Sequence, residues 1–355
     1  MIDTRRQFLV KGSVAVGGVL VGGNLLAACG DDDDDDSGNG GGASTTRINL
    51  GLNWVKDADF AGFYVAIDRG FYADEGVELN LISGGPNAPE SVQMVASGTA
   101  NVGISTDLLQ IFDTIEKGTP LVMIGAKYQE SPAGLASLPD NPVRTAQDMV
   151  GKKIGGPQGD QRFFDAVLAV NDLEPGDYEF VPTGFDPEPL ANGDVDALSV
   201  FVINQPLTLK RQGVETVAVT YSEMGLASYA NILYAERDFI NSNRDAVVGF
   251  LRGTVKGWEV QNASPEVGAR LTVEEFGKDL GLNLEDEIEE SKAGIPLMES
   301  DLTEEKGIFW MSAEELGGPM YDGLRASGRE NLPPVDEVLD LSLIEDAYGG
   351  KTSLT

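Results

Sequence analysis

Short apolar runs alternate with amphipathic stretches along most of this chain. Residues 48–52 form a compact apolar run, and Val77, Leu79 and Leu81 alternate with polar neighbours over 77–82. A period of two marks a half-buried strand. The same signals predict strands at 102–104, 121–126, 133–138, 153–155, 178–181, 197–201, 215–219 and 231–234. Between them, apolar positions at helical spacing predict helices at 89–97, 107–117, 161–170 and 206–212. Strands alternating with helices in this way define the α/β class. From residue 243 the strands cease: Val247, Val248, Leu251, Val255 and Trp258 make a helical stripe, followed by charged amphipathic helices and loops to about residue 348.

One phrase occurs twice. Residues 95–103 (VASGTANVG) are answered by 190–198 (LANGDVDAL), each a helix end, a glycine stop and a buried strand. Gly98 and Gly193 stand at the position after a helix where a left-handed residue closes the last turn. They are 95 positions apart, the length of one lobe. A hydrophobic content of 41% supports a large core.

The stretch from Leu52 to Ile82 carries the most specific wording: Leu52-Asn53-Trp54, then Gly62, Tyr64-Val65-Ala66, Gly70 and Glu75-Gly76. It resembles the opening of the solute-binding proteins for thiamine pyrimidine precursors and their nitrate, sulfonate and taurine relatives. The resemblance covers most of 48–258 and fades after residue 261. It implies a type II periplasmic-binding-protein fold, two α/β lobes joined by a two-strand hinge near Ala126 and Tyr234. The first lobe would take 46–127 plus 235–355, and the second 128–234.

The N-terminus and the charge place that expectation. Thr4-Arg5-Arg6-Gln7-Phe8-Leu9 resembles a twin-arginine export signal, with Lys11 one place later than that pattern has it. The glycine-rich run 12–26 is too short to span a bilayer, which needs about 20 residues. It ends in Leu26-Ala27-Ala28-Cys29-Gly30, which resembles a lipobox and implies removal of 1–28 and a lipid on Cys29. A lone cysteine is otherwise a small buried hydrophobe. Six aspartates and a Ser/Gly run follow, a repelling and packing-poor tether over 29–45. The net charge of −33 excludes nucleic acid as a partner.

Catalytic chemistry is thin. The chain has no histidine, which excludes serine triads and His-based acid–base or zinc sites, and Cys29 lies apart from the domain. The related eukaryotic enzyme makes the thiamine pyrimidine from pyridoxal phosphate and its own histidine, which this chain lacks. No enzyme, no cofactor and no metal are therefore expected. Glu289-Glu290 and Glu314-Glu315 read as solvated helix faces.

Ligand contacts are expected where strands end and helices begin, the usual position in open α/β sheets. The first such turn holds Trp54, Asp57, Asp59 and Phe60, where the resembling family carries a histidine in place of Phe60. Trp54 equally suits a core role, since large aromatics are mostly buried. The second is Gly155-Gly156-Pro157-Gln158-Gly159-Asp160, a glycine turn leading into a helix whose free N–H groups suit a ligand oxygen or ring nitrogen. In the resembling proteins the matching turn touches ligand. Here Pro-Gln replaces its aromatic. Asn204 suits either a helix N-cap or the cleft. Tyr229 and Asn231 precede the return crossing and would hydrogen-bond a ring.

Apart from Lys56 these turns hold no basic residue. Aromatic walls with acidic groups fit a neutral or cationic planar molecule better than an anion. The expectation is a monomeric, lipid-anchored, extracytoplasmic binding protein that delivers a thiamine-precursor-like heterocycle to an ABC permease and its ATPase by hinge closure. Nitrate, sulfonate, taurine, riboflavin and polyamine ligands are the alternatives within the binding class. A pyrimidine-synthesis enzyme and a surface sensor lipoprotein are the alternatives outside it.

Overall fold

A computed structural model describes residues 45–355. The expected export signal, Cys29 and the tether up to residue 44 lie outside the described residues. Ten strands form two five-stranded sheets. The first sheet has the order β2-β1-β3-β10-β4, with β1 at Thr46–Gly51, β2 at Val77–Ile82, β3 at Val102–Ser105, β4 at Leu121–Tyr128 and β10 at Ala230–Glu236. The second has the order β7-β6-β8-β5-β9, with β5 at Ala133–Ser137, β6 at Lys153–Gly156, β7 at Glu179–Pro182, β8 at Ala197–Phe201 and β9 at Val217–Thr220.

The two sheets share one plan. Three strands run parallel, the fourth is antiparallel to its neighbours, and a fifth covers its far side. In each sheet the fourth strand is the one next to a chain crossing: β10 receives the chain back from the second sheet, and β5 receives it from β4. The repeated phrase of the sequence falls at matching places. Gly98 and Gly193 both take a left-handed φ, at 73° and 76°, and lead into β3 and β8, the third strand of each sheet.

Sequence accounts for the first sheet directly. Ile48 and Leu50 pair with Leu79 and Leu81, and all but Leu79 are buried. Every residue of β4 is buried although it is an edge strand. The chain beyond residue 300 covers that edge, through single bridges from Leu339 to Met123 and from Phe309 to Ala126. A covered edge cannot pair with another chain.

The apolar stripe of Val247, Leu251, Val255 and Trp258 belongs to the helix Arg244–Ala263, which packs along the helix Ala61–Asp68. Glycines set how closely they approach. A Cβ on Gly62 would enter the Trp258 ring, and one on Gly257 would strike the Gly62 carbonyl. Among the described residues no helix is long and apolar enough to cross a membrane.

Candidate functional site

The turn after β1 places Asp59 where the strands flanking both crossings meet. Asp57 opens a short 3₁₀ turn, Ala58–Phe60, its carboxylate accepting the Asp59 N–H at 3.1 Å. Asp59 then turns inward. Its Oδ1 accepts from Lys127 Nζ and from the Tyr128 hydroxyl, both at 2.6 Å and both from the end of β4. Its Oδ2 accepts from Asn231 Nδ2 at 2.6 Å, from the start of β10. Burial opposes ionisation of Asp59, but the Lys127 charge and the three side-chain hydrogen bonds hold it below the ordinary carboxylate range. Lys127 also lies 4.1 Å from the Trp258 ring centroid and 4.2 Å from that of Tyr128, so its ammonium is enclosed by a carboxylate and two aromatic faces.

A second group of carboxylates comes from the helix Leu284–Met298. Glu287, Glu290, Gly294 and Met298 form its buried stripe. Glu287 accepts the Ala58 N–H at 2.8 Å, and burial pushes its carboxyl up to about 7, with the neighbouring Asp286 charge adding to the rise. Glu290 accepts from Asn204 Nδ2 at 2.7 Å. Burial raises both Asp57 and Glu290 well above the usual carboxylate range, helped by the charges of Asp59 and Glu287 on Asp57 and of Asp57 and Glu287 on Glu290. Gathered carboxyls of this kind keep protons that exposed ones release. Behind them lies a void of about 10 Å³ lined by Asp59, Lys127, Tyr128, Trp258, Gln261 and Glu290. That is about the room of one water.

Several contacts join the two sheets' elements across the space between them. Trp54, after β1, meets Phe185, after β7, edge to face at 4.8 Å. Asn204, after β8, reaches Glu290, and Arg211 pairs with Asp286 at 3.0 Å. Arg162, on the helix Gln161–Val170, pairs with Asp107 and Asp113 at 3.4 Å. A hollow of about 410 Å³ beside Arg162 and Arg329 is lined by Asp113, Glu116 and Glu330 as well. Both arginines are already matched by acids there.

The expected residues fall into distinct settings. Trp54 is half-buried against Phe185, whereas Phe60 is fully buried in the core with Phe63 and Trp258. Asp57, Asp59 and Asn231 come together, and Asn204 joins them through Glu290. Gly155 and Gly156 lie within β6, where Leu198, Thr183 and Ser199 crowd the space a side chain would need. Gln158 and Gly159 are exposed in the turn. Asp160 caps no helix N–H. It accepts from Ser199 Oγ at 2.6 Å, and burial raises its carboxyl. Tyr229 is buried, its hydroxyl accepting the Ser312 N–H at 2.8 Å.

Two readings of the sequence need correction. Glu290 is 8% exposed, not part of a solvated face. A basic residue does enter the site, because Lys127 extends β4 past its apolar run. Asn53, Phe185 and Glu287 were also missed. Helical spacing of 287, 290, 294 and 298 is the signal that could have found the glutamates.

Two α/β sheets of shared plan, bridged by two crossings and meeting at strand ends, define the periplasmic-binding-protein fold of solute-binding proteins. The chain belongs to the NMT1/THI5 like family, whose model matches residues 57–267. It is 27% identical over 233 residues to the 4-amino-5-hydroxymethyl-2-methylpyrimidine phosphate synthase of Legionella pneumophila, covering 64% of this chain and 72% of that one. It is 24% identical over 302 residues to the riboflavin-binding protein RibY of Chloroflexus aurantiacus, covering 81% and 82%. With the formylaminopyrimidine-binding protein of Halalkalibacterium halodurans it shares 23% over 258 residues, covering 70% and 76%. The putative sulfonate-binding protein SsuA of Methylobacillus flagellatus superposes with a TM-score of 0.60 at 13% identity, covering 86% and 94%, which shows the fold alone.

These relatives overturn the expectation of a purely non-enzymatic chain. Proteins of Schizosaccharomyces pombe and Aspergillus parasiticus carry the same synthase name, at 27% and 25% identity. Lack of histidine excludes only histidine chemistry.

Proposed function

We propose that this protein is an exported, lipid-anchored receptor that captures a small flat nitrogen heterocycle between its two lobes and hands it to an ABC permease. The observation that carries the reading is the Trp54–Phe185 pair, one ring from the turn after a strand of each sheet, at 4.8 Å. Two aromatic side chains that meet edge to face across a cleft can hold a planar ring when they part and one turns to face the other. Relatives named for binding riboflavin and formylaminopyrimidine support a flat ligand. Against a nitrate or sulfonate ligand stands the pairing of the nearby cations, Lys127 with Asp59 and Arg162 with Asp107 and Asp113. An anion would have to displace a carboxylate in a chain of net charge −33.

A thermal-shift panel tests this: formylaminopyrimidine, 4-amino-5-hydroxymethyl-2-methylpyrimidine, thiamine, riboflavin and spermidine against taurine, nitrate and an alkanesulfonate. A ligand at a hundredfold excess over its Kd adds about 2.7 kcal/mol to folding. Shifts confined to the heterocycles are expected, and a shift with nitrate or sulfonate alone would refute the reading. Mass spectrometry of each incubated ligand should run alongside, because the family includes synthases. The anchor is tested by the mass of the membrane-extracted N-terminus, expected to be a lipid-bearing Cys29. A protein found wholly in the cytoplasm would contradict export.

A further inference from the structure

Asn53 was not among the expected ligand contacts, yet one of its atoms is exceptional. Its Nδ2 donates to Asn231 Oδ1 at 3.2 Å, while its own Oδ1 is buried without a hydrogen-bond partner among the described residues. A buried acceptor left unpaired is costly, so it is a candidate to receive something the cleft admits. It sits in the turn with Trp54, whose ring meets Phe185 from the second sheet.

The orientation of this amide follows from chemistry two hydrogen bonds away, at Asp59. An ionised carboxylate only accepts. Asp59 Oδ2 therefore draws the NH₂ of Asn231 toward itself, which turns the Asn231 oxygen to face Asn53. That oxygen in turn draws the NH₂ of Asn53, which leaves the Asn53 oxygen as the group without a partner. Lys127 and Tyr128 occupy the other oxygen of Asp59 and keep it charged. Asn231 is held at a φ of 48°, a left-handed conformation that asparagine tolerates and that anchors its amide between the two partners.

Resting on the heterocycle reading above, we propose that Asp59 and Asn231 are positioning residues that lock the polarity of Asn53, so that the site accepts from an N–H donor on the ligand's edge. The substrate class is thereby narrowed to heterocycles carrying an amine or ring N–H at the edge facing Asn53.

The test uses a matched pair of probes, 4-amino-5-hydroxymethyl-2-methylpyrimidine and its 4-methyl counterpart, in which CH₃ replaces NH₂ at nearly the same size. Calorimetric titration of the mature chain should show the amine bound about tenfold more tightly, the worth of one hydrogen bond. Asp59→Asn should abolish or invert that ratio. Its new carbonyl would face the donors Lys127 and Tyr128, its NH₂ would face Asn231, and both amides of the relay would turn over. Asn53→Ala leaves the Asp59 hub intact and should bring the ratio to about one, which keeps the proposal testable if Asp59→Asn fails to fold. The ratio is the readout because a merely structural loss weakens both probes alike. A wild-type ratio near one, or a ratio unchanged in either variant, overturns the polarity lock and leaves the heterocycle reading standing. Failure of both probes to bind overturns this narrowing, and only silence of thiamine, riboflavin and formylaminopyrimidine as well sinks the heterocycle reading with it.

Discussion

Glu287 offers the cleanest measure of what the buried carboxyl group costs. Its carboxyl is raised from the ordinary 4.5 to about 7 by burial, with the Asp286 charge adding to the effect. In the folded chain it keeps a proton that the unfolded chain has released, so its contribution is intact below about pH 4.5 and falls as pH rises toward 7. That interval corresponds to about 3 kcal/mol lost by pH 8, an order-of-magnitude figure. Glu287→Gln cannot ionise, and its carbonyl oxygen can still accept the Ala58 N–H that Glu287 holds at 2.8 Å. Urea unfolding at pH 5 and pH 8 should find the variant close to wild type at the lower pH. At the higher pH it should be more stable by about 1–3 kcal/mol. A variant equally destabilised at both pH values would refute the reasoning, since it would show that Glu287 acts through its shape rather than its proton.

Other consequences follow from the same geometry. Lys127→Met should cost about 3–5 kcal/mol in chemical denaturation, because Asp59 would keep a buried charge with no cation beside it; wild-type stability would mean that Asp59 is neutral in the fold. Gly62→Ala should lower the melting temperature, the new methyl colliding with the Trp258 ring and costing about 1–3 kcal/mol or more. An unchanged melting temperature would show that the two helices separate freely there. Trp54→Ala and Phe185→Ala should each weaken a bound heterocycle by about 1–3 kcal/mol, whereas unaltered affinity in both would place the ligand elsewhere.

The strands were legible because period-two alternation and short apolar runs survive in β1, β2 and β3. The repeated glycine phrase was legible too, since only a left-handed residue ends those helices cheaply, and it marks the same strand of each sheet. The site was only partly so. Lys127 ended the apolar run of β4 to the eye, yet the strand runs on to Tyr128 because Asp59 and two rings match the ammonium. Glu290 reads as one acid among many in a charged helix, and only its spacing from Gly294 and Met298 betrays the buried face. Tyr229 and Asn231 would share a face in a regular strand. Tyr229 stands just before β10 and Asn231 inside it at a positive φ, and both are buried, the phenol at the Ser312 N–H and the amide at Asp59. A relay that depends on which way two amides turn has no trace in residue type alone.

The most direct test of ligand capture between the sheets is a crystal structure with 4-amino-5-hydroxymethyl-2-methylpyrimidine bound. The ring is expected between Trp54 and Phe185, with its amine about 3 Å from Asn53 Oδ1, an ordinary N–H···O distance. Density for the ring on the outer surface, at the Arg162 hollow or anywhere away from the β1 turn would contradict it.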